Sequence, residues 1–218
     1  MRRAVDLAEI SDGRRYGAND MVRADCGGCE GCSVCCTGMG TSVILDPYDV
    51  QELVQGLSLT FEQLLSSVLE LNVVDGIILP NMRMAGESER CGFLDEQGRC
   101  SIHPFRPGFC RLFPLGRIYE GDGFQYFLQV RECPRQNRGK VKVRKWIGVP
   151  QFYRYERFVL EWHDFLKARQ EQVREDPDGD LARFVCMRLL KHFYLQPFDS
   201  CGDFYEQFED RLAGWDKS

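Results

Sequence analysis

Fifteen consecutive residues, CGGCEGCSVCCTGMG from Cys26 to Gly40, hold five cysteines and five glycines. No other feature limits this chain as strongly. Glycine at 27, 28, 31, 38 and 40 punctuates the stretch and rules out a regular helix or strand through it. So little apolar surface cannot form a packed core, and the segment reads as a loop that folds around something. Two intervening residues between cysteines let neighbouring thiolates turn toward one ion, the geometry of zinc knuckles and iron–sulfur loops. The series Cys26, Cys29, Cys32 and Cys36 follows the C-x2-C-x2-C-x3-C spacing of bacterial ferredoxins, with Thr37 in place of the usual proline. Cys35 and Cys36 are adjacent. In an extended segment neighbouring side chains point to opposite faces, so these two are expected to serve different sites, or one is expected to stay free.

A second cysteine section follows at 91–114, CGFLDEQGRCSIHPFRPGFCRLFP, and Cys133-Pro134 closes the region. Cys91, Cys100, Cys110 and Cys133 bring the thiols to enough for two four-coordinate sites, each a zinc or an iron–sulfur cluster. The last two of the eleven cysteines, Cys186 and Cys201, stand apart in helix-like sequence. Cys186 is expected to pack in a core as a small hydrophobe.

A chain of 218 residues can bury a sizeable core without covalent staples. Its basic start is not followed by an apolar run, so a secretory signal is not expected. No stretch approaches 18 apolar residues, so no membrane span is expected. Both point to the cytoplasm, where thiols stay reduced and dense cysteines mean metal or catalysis rather than disulfides. The net charge of −5 argues against nucleic acid as a partner. The basic stretch 131–145 reads as a solvated loop between two folded parts, with an anion- or partner-binding patch as the alternative.

The motifs together resemble a known family. Cys29-x2-Cys32-x2-Cys35-Cys36, then Cys91-Gly-Phe-Leu, Cys100-Ser-Ile, Arg106-Pro107-x2-Cys110-Arg111-x-Phe113-Pro114 and Cys133, are similar to the CxxCxxCC cysteine-cluster family of zinc- or iron-chelating domains. The resemblance covers roughly 29–135. It implies eight metal ligands: Cys29, Cys32, Cys35, Cys36, Cys91, Cys100, Cys110 and Cys133. Cys26 falls outside the pattern, which weakens the ferredoxin spacing that uses it. Flagellin lysine N-methylases are similar across the same domain. The resemblance therefore also points to an S-adenosylmethionine-dependent protein lysine N-methyltransferase with a protein substrate.

Arg106 and Arg111 bracket Cys110. They are cofactor-binding candidates, because guanidinium groups neutralise anionic thiolate clusters; ordinary surface ion pairs are the alternative. His103 is open between ligand and loop residue, while His163 and His192 carry no metal spacing. Phe152, Tyr153, Tyr155, Phe158 and Trp162 recur at helical spacing, which favours a core over a pocket. Nucleotide-binding, P-loop and hydrolase motifs are absent.

The expected fold is α+β: a polar arm at 1–25, an irregular metal-organised cysteine domain with short strands and helices at 26–135, and a helical extension at 136–218. Within it the signals predict a strand at 43–45, a helix from Asp46-Pro47 to about Gly56 and a helix from Thr60 to about Glu70. Two β pieces around Gly76, a hairpin from 115–119 and 124–130, and helices at 151–173, 181–195 and 203–215 follow. The leading functional expectation is a metal-binding protein holding an iron–sulfur cluster, favoured over zinc because the loop is glycine-rich and needs no histidine. The methyltransferase and a metal-stabilised interaction module presenting the 131–145 patch are the alternatives.

Overall fold

Asp46 and Thr60 cap the first turns of two helices. The Asp49 amide donates to Asp46 Oδ1 at 2.8 Å and the Asp46 amide donates back to Asp49 Oδ2 at 3.3 Å. The Gln63 and Thr60 pair repeats this reciprocal arrangement, which satisfies helix N–H groups that would otherwise lack partners. The computed structural model describes residues 6–27, 32–176 and 179–215. In it α1 is Leu7–Ile10, β1 Met21–Asp25, α2 Pro47–Leu57 and α3 Phe61–Ser67. Gly56 lies inside α2 rather than capping it; Ser58 takes the left-handed cap. Glycine is needed at 56 because a Cβ there would stand 2.6 Å from the Phe105 ring.

The α3 helix stops at Ser67, short of Glu70, because Leu69 already belongs to the next strand. That strand, β2 (Leu69–Val74), pairs antiparallel with β3 (Ile77–Met82). Asp75 and Gly76 both have positive φ in the two-residue turn between them, the conformation that matches the twist of a hairpin. Short β4 (Met84–Ala85) and β5 (Arg90–Cys91) follow, then α4 (Gly108–Leu112). The hairpin of β6 (Leu115–Glu120) and β7 (Gly123–Leu128) turns through Gly121-Asp122. The strand expected at 43–45 is reduced to a single bridge, Ile44 to Asn81, beside β3.

The ends of the cysteine region differ most from expectation. Residues 6–25 are not a free arm. Ser11 bridges Gln129, Tyr16 bridges Tyr126, and β1 pairs with β8 (Gly139–Lys142). The basic stretch is accordingly not all solvated loop: β8 lies within it and α5 (Val143–Ile147) begins in it. Val22 and Ala24 on β1 are buried and tie the strand to the core, while Arg23 points outward.

The helical part consists of α6 (Phe152–Arg174), α7 (Asp180–Leu190), a π-helical turn at Lys191–Leu195, and α8 (Phe204–Trp215). Along α6, Phe152, Tyr155, Phe158, Val159 and Trp162 are buried, as their spacing predicts, whereas Tyr153 is exposed. These rings pack with Phe193 and Phe208, and α7 covers β3, so the helices and the β2–β3 hairpin share one core. Cys186 is buried there and accepts the Ile78 amide at 3.3 Å; Cys201 is exposed. The architecture is mixed α+β, with antiparallel strand pairs followed by helices. No helix among the described residues is long and apolar enough to cross a membrane.

Candidate metal centre

Four backbone devices carry the cysteines toward one another. Val34–Cys36 is a single 3-10 turn. The loop after it is fastened to β5 by the Thr37–Arg90 bridge and by the Gly38 amide on the Glu89 carbonyl at 3.1 Å, which sets Cys35 and Cys36 beside Cys91. Cys91 leads into a tight reverse loop in which Leu94 bridges Cys100, and the Asp95 carboxylate accepts the Gln97 and Arg99 amides. Cys110 sits on α4. The first amide of that helix, from Gly108, donates to Asp49 Oδ1 at 2.7 Å.

The Cys35 and Cys36 sulfurs are 4.0 Å apart. The expected splitting to opposite faces does not occur, because the 3-10 turn replaces the extended backbone on which it depended. A tetrahedral zinc with bonds of about 2.3 Å separates its sulfurs by about 3.8 Å, so this pair fits an edge of such a centre. The Cys36 thiol hydrogen-bonds to Cys35 and pushes its pKa down to about 7, an effect that the Arg106 charge reinforces. Cys36 is pushed up, first by the same hydrogen bond, then by burial and by the charges of Cys35, Cys110 and Cys100. Burial raises Cys91, Cys100 and Cys110, and neighbouring thiols add to it in each case. Five thiols from three separate segments thus feel one another, and sulfur is the donor that zinc and iron share. Their side chains are gathered without closing on a point: among the described residues no three Cys, His, Asp or Glu are set to hold an ion as they stand.

The remaining candidates lie elsewhere. Cys29 falls outside the described residues. No interaction with the five-thiol group is seen for Cys32 or Cys133 among the described residues. Cys26 directly follows β1, and Cys133 precedes β8, the partner strand. Arg106 reaches the His103 ring nitrogen and acts electrostatically on Cys35 and Cys100. Arg111 is buried. It donates to the Arg106 carbonyl at 2.8 Å and the Pro104 carbonyl at 2.6 Å, and stands 3.9 Å from Glu52. It therefore binds the loop that leads into Cys110 and also makes an ion pair. His163 stacks on Tyr119, and His192 meets the Arg211 carbonyl.

Sequence reasoning missed the polar strut behind Cys110. Asp49 is buried and its carboxyl is held well above the usual range, first by burial and then by the Asp46 charge. Burial likewise lifts Asp46 to about 6, opposed by its hydrogen bonds and by Arg117. Arg117 donates to the Tyr155 hydroxyl at 3.2 Å and lies over the Tyr155 ring. A Cβ at Gly108 would collide with that hydroxyl. The capping box on α2 was the available signal, because a second carboxylate at its third position, Asp49, has an unused oxygen to offer another segment.

Comparison with known proteins gives one result on this region. No curated protein and no solved structure matches the chain. Residues 28–134 match the profile of the CxxCxxCC family, described as a "putative zinc- or iron-chelating domain". The match begins after Cys26 and includes Cys133, so the gathered thiols all lie inside it. The segment 28–134 of this chain is therefore a domain of the CxxCxxCC family, and metal binding is the property that comes with it.

Proposed function

We propose that the chain holds an iron–sulfur cluster, in preference to zinc, through Cys29, Cys32, Cys35, Cys36, Cys91, Cys100, Cys110 and Cys133. The observation that supports thiolate ligation is the 4.0 Å approach of the Cys35 and Cys36 sulfurs, with Cys91, Cys100 and Cys110 from two further segments close enough to act on their charges; the preference for iron–sulfur rests on the glycine-rich loop and on a ligand set that needs no histidine. When bound, such a centre supplies electron transfer if it is iron–sulfur, or a structural Lewis acid if it is zinc. The protein's own part is positional. The 3-10 turn pairs two sulfurs, the Leu94–Cys100 loop presents a third and fourth, and Asp49 pins the helix that bears Cys110. Arg106 offsets negative charge beside Cys35, and Arg111 holds the loop between them. The metal-binding unit is taken as 26–135 with a helical extension at 136–218, in a reducing cytoplasmic setting where thiols remain available.

Anaerobic purification followed by metal analysis and an ultraviolet–visible spectrum tests this directly. Iron with matching sulfide and a visible charge-transfer band are expected. A colourless protein carrying stoichiometric zinc overturns the iron–sulfur assignment while leaving thiolate ligation intact. Loss of metal binding in Cys110→Ser, but not in Cys201→Ser, is the expected pattern for the ligand set.

A further inference from the structure

Among the described residues β8 has β1 on one side and no strand on the other. The Val143 amide donates to the Asp20 carbonyl at 3.1 Å, so Val141 and Val143 address β1. Backbone groups alternate in direction along a strand. The amide and carbonyl of Lys140 and the amide of Lys142 therefore turn to the open side. Side chains alternate as well. Val22 and Ala24 face the core, and Val141 stands opposite Val22. Met21, Arg23, Lys140 and Lys142 accordingly share the outer face.

That face is basic on an acidic molecule. Residues 131–145 hold seven lysines and arginines against Glu132 alone, in a chain of net charge −5. Among the described residues Arg23, Arg131, Lys140, Lys142 and Lys145 take part in no ion pair. Arg138 Nη1 and Arg144 Nε are enclosed without a hydrogen-bond partner. Asp25 is the one acid on the outer face of β1; it stands at the far end, beside Gly139, and accepts the Gly27 amide at 3.0 Å. Like charges side by side across two strands repel, and nothing else in the ribbon offsets them.

We propose that the open edge of β8 takes up an extended acidic polypeptide segment of a partner as an added strand. Lysines on an edge strand discourage pairing with a neutral or basic strand. A segment with a carboxylate at every second residue turns that repulsion into attraction, because its carboxylates fall on one face at the spacing of Lys140 and Lys142. The open backbone groups of those two lysines supply main-chain hydrogen bonds, and the charges select the partner. Nucleic acid is the poorer fit. Residues 131–145 contain no aromatic side chain on which bases stack, and the remainder of the chain, more negative than the whole, repels a polyanion longer than the ribbon. An anionic lipid surface cannot continue a sheet, and Met21 is the one apolar side chain on the outer face.

The test is titration of the full chain, as purified, with a fluorescein-labelled Glu-Thr-Glu-Thr-Glu-Thr peptide, followed by fluorescence polarisation and by amide hydrogen exchange. The controls are the Gln-Thr counterpart and a Glu-Pro-Glu-Pro-Glu-Pro peptide, which keeps the charge but lacks alternate amides. Single-stranded DNA and phosphatidylserine vesicles are titrated in parallel. Saturable binding of the Glu-Thr peptide is expected, weakening as salt rises, with slowed exchange at the Lys140 and Lys142 amides. Lys140→Gln and Lys142→Gln are each expected to weaken it about two- to five-fold, the scale of an exposed charge pair. Lys140→Glu combined with Lys142→Glu is expected to lose the acidic peptide and to gain a Lys-Thr-Lys-Thr-Lys-Thr peptide, a gain that a damaged fold would not give. No saturation with the acidic peptide, equal binding of the Gln-Thr or Glu-Pro peptide, tighter binding of the DNA or the vesicles, or failure of the doubly reversed chain to change partner overturns the proposal.

Discussion

In the C-terminal helices, Phe158 meets Phe208 edge-on at 4.6 Å and Trp162 meets Phe193 at 5.0 Å, with Phe158, Phe193 and Phe208 at most 2% exposed. In the cysteine section, β4 and β5 are two residues long, the helical turns are short, and Cys35, Cys36, Cys100 and Cys110 are only partly buried. The first region has ample apolar area to remove from water, and that area suffices to fix its helices. The second has sulfur where the first has rings. Its hydrogen-bonded turns bring the thiols near one another, and a shared ligand is what such an arrangement lacks in apolar burial. A single chain thus combines a part that folds by burial with a part whose order is proposed to depend on coordination.

The largest expected effect that separates the two comes from metal removal. A structural zinc in a small domain carries about 10–16 kcal/mol of apparent binding free energy. Chelation is therefore expected to open residues 91–114 to proteolysis while α6–α8 keep their far-ultraviolet circular dichroism. Equal protease resistance with and without chelator would break the contrast. Phe158→Ala strikes the other region and is expected to cost about 3–5 kcal/mol, measured by urea unfolding, with metal per folded chain unchanged. Gly108→Ala attacks the junction, because the new methyl group meets the Tyr155 hydroxyl at the start of the Cys110 helix. A loss of about 1–3 kcal/mol is expected, together with weaker metal retention in a competition assay, which Phe158→Ala does not produce. Thr60→Ala removes one capping oxygen and is expected to cost about 1 kcal/mol. Cys201→Ser, at an exposed position, is expected to change neither melting temperature nor metal content.

These regions were also unequally legible in the sequence. The starts of α2 and α3 were readable because Asp46 and Thr60 act within three residues of themselves, and α6 because its stripe of rings repeats at helical spacing. The family pattern contains the five thiols that act on one another, together with Cys29, Cys32 and Cys133, which are not seen in that group. The β1–β8 pair was not readable. MVRAD is too short and GKVK, with Val141 as its one apolar residue, too polar to announce a strand, and each is a strand because the other lies beside it. The Cys35–Cys36 contact was misjudged for a related reason: periodicity assumes a regular backbone, and the 3-10 turn is set by the Thr37 and Gly38 links to β5. Asp49 on Gly108 joins segments far apart in the chain, and no local rule foretells its partner.

The β1–β8 pair has a consequence for the order of events during synthesis. Met21 pairs with Lys142, and every family cysteine from Cys29 to Cys133 lies between them in the chain. While the polypeptide is being made, β1 waits without its partner until all of those thiols have emerged. The entropy of closing so long a loop grows only with the logarithm of its length, and sulfurs drawn together inside it shorten the effective span. Loading of the thiols before β8 appears would speed the clasp, because less free chain would then separate the two strands.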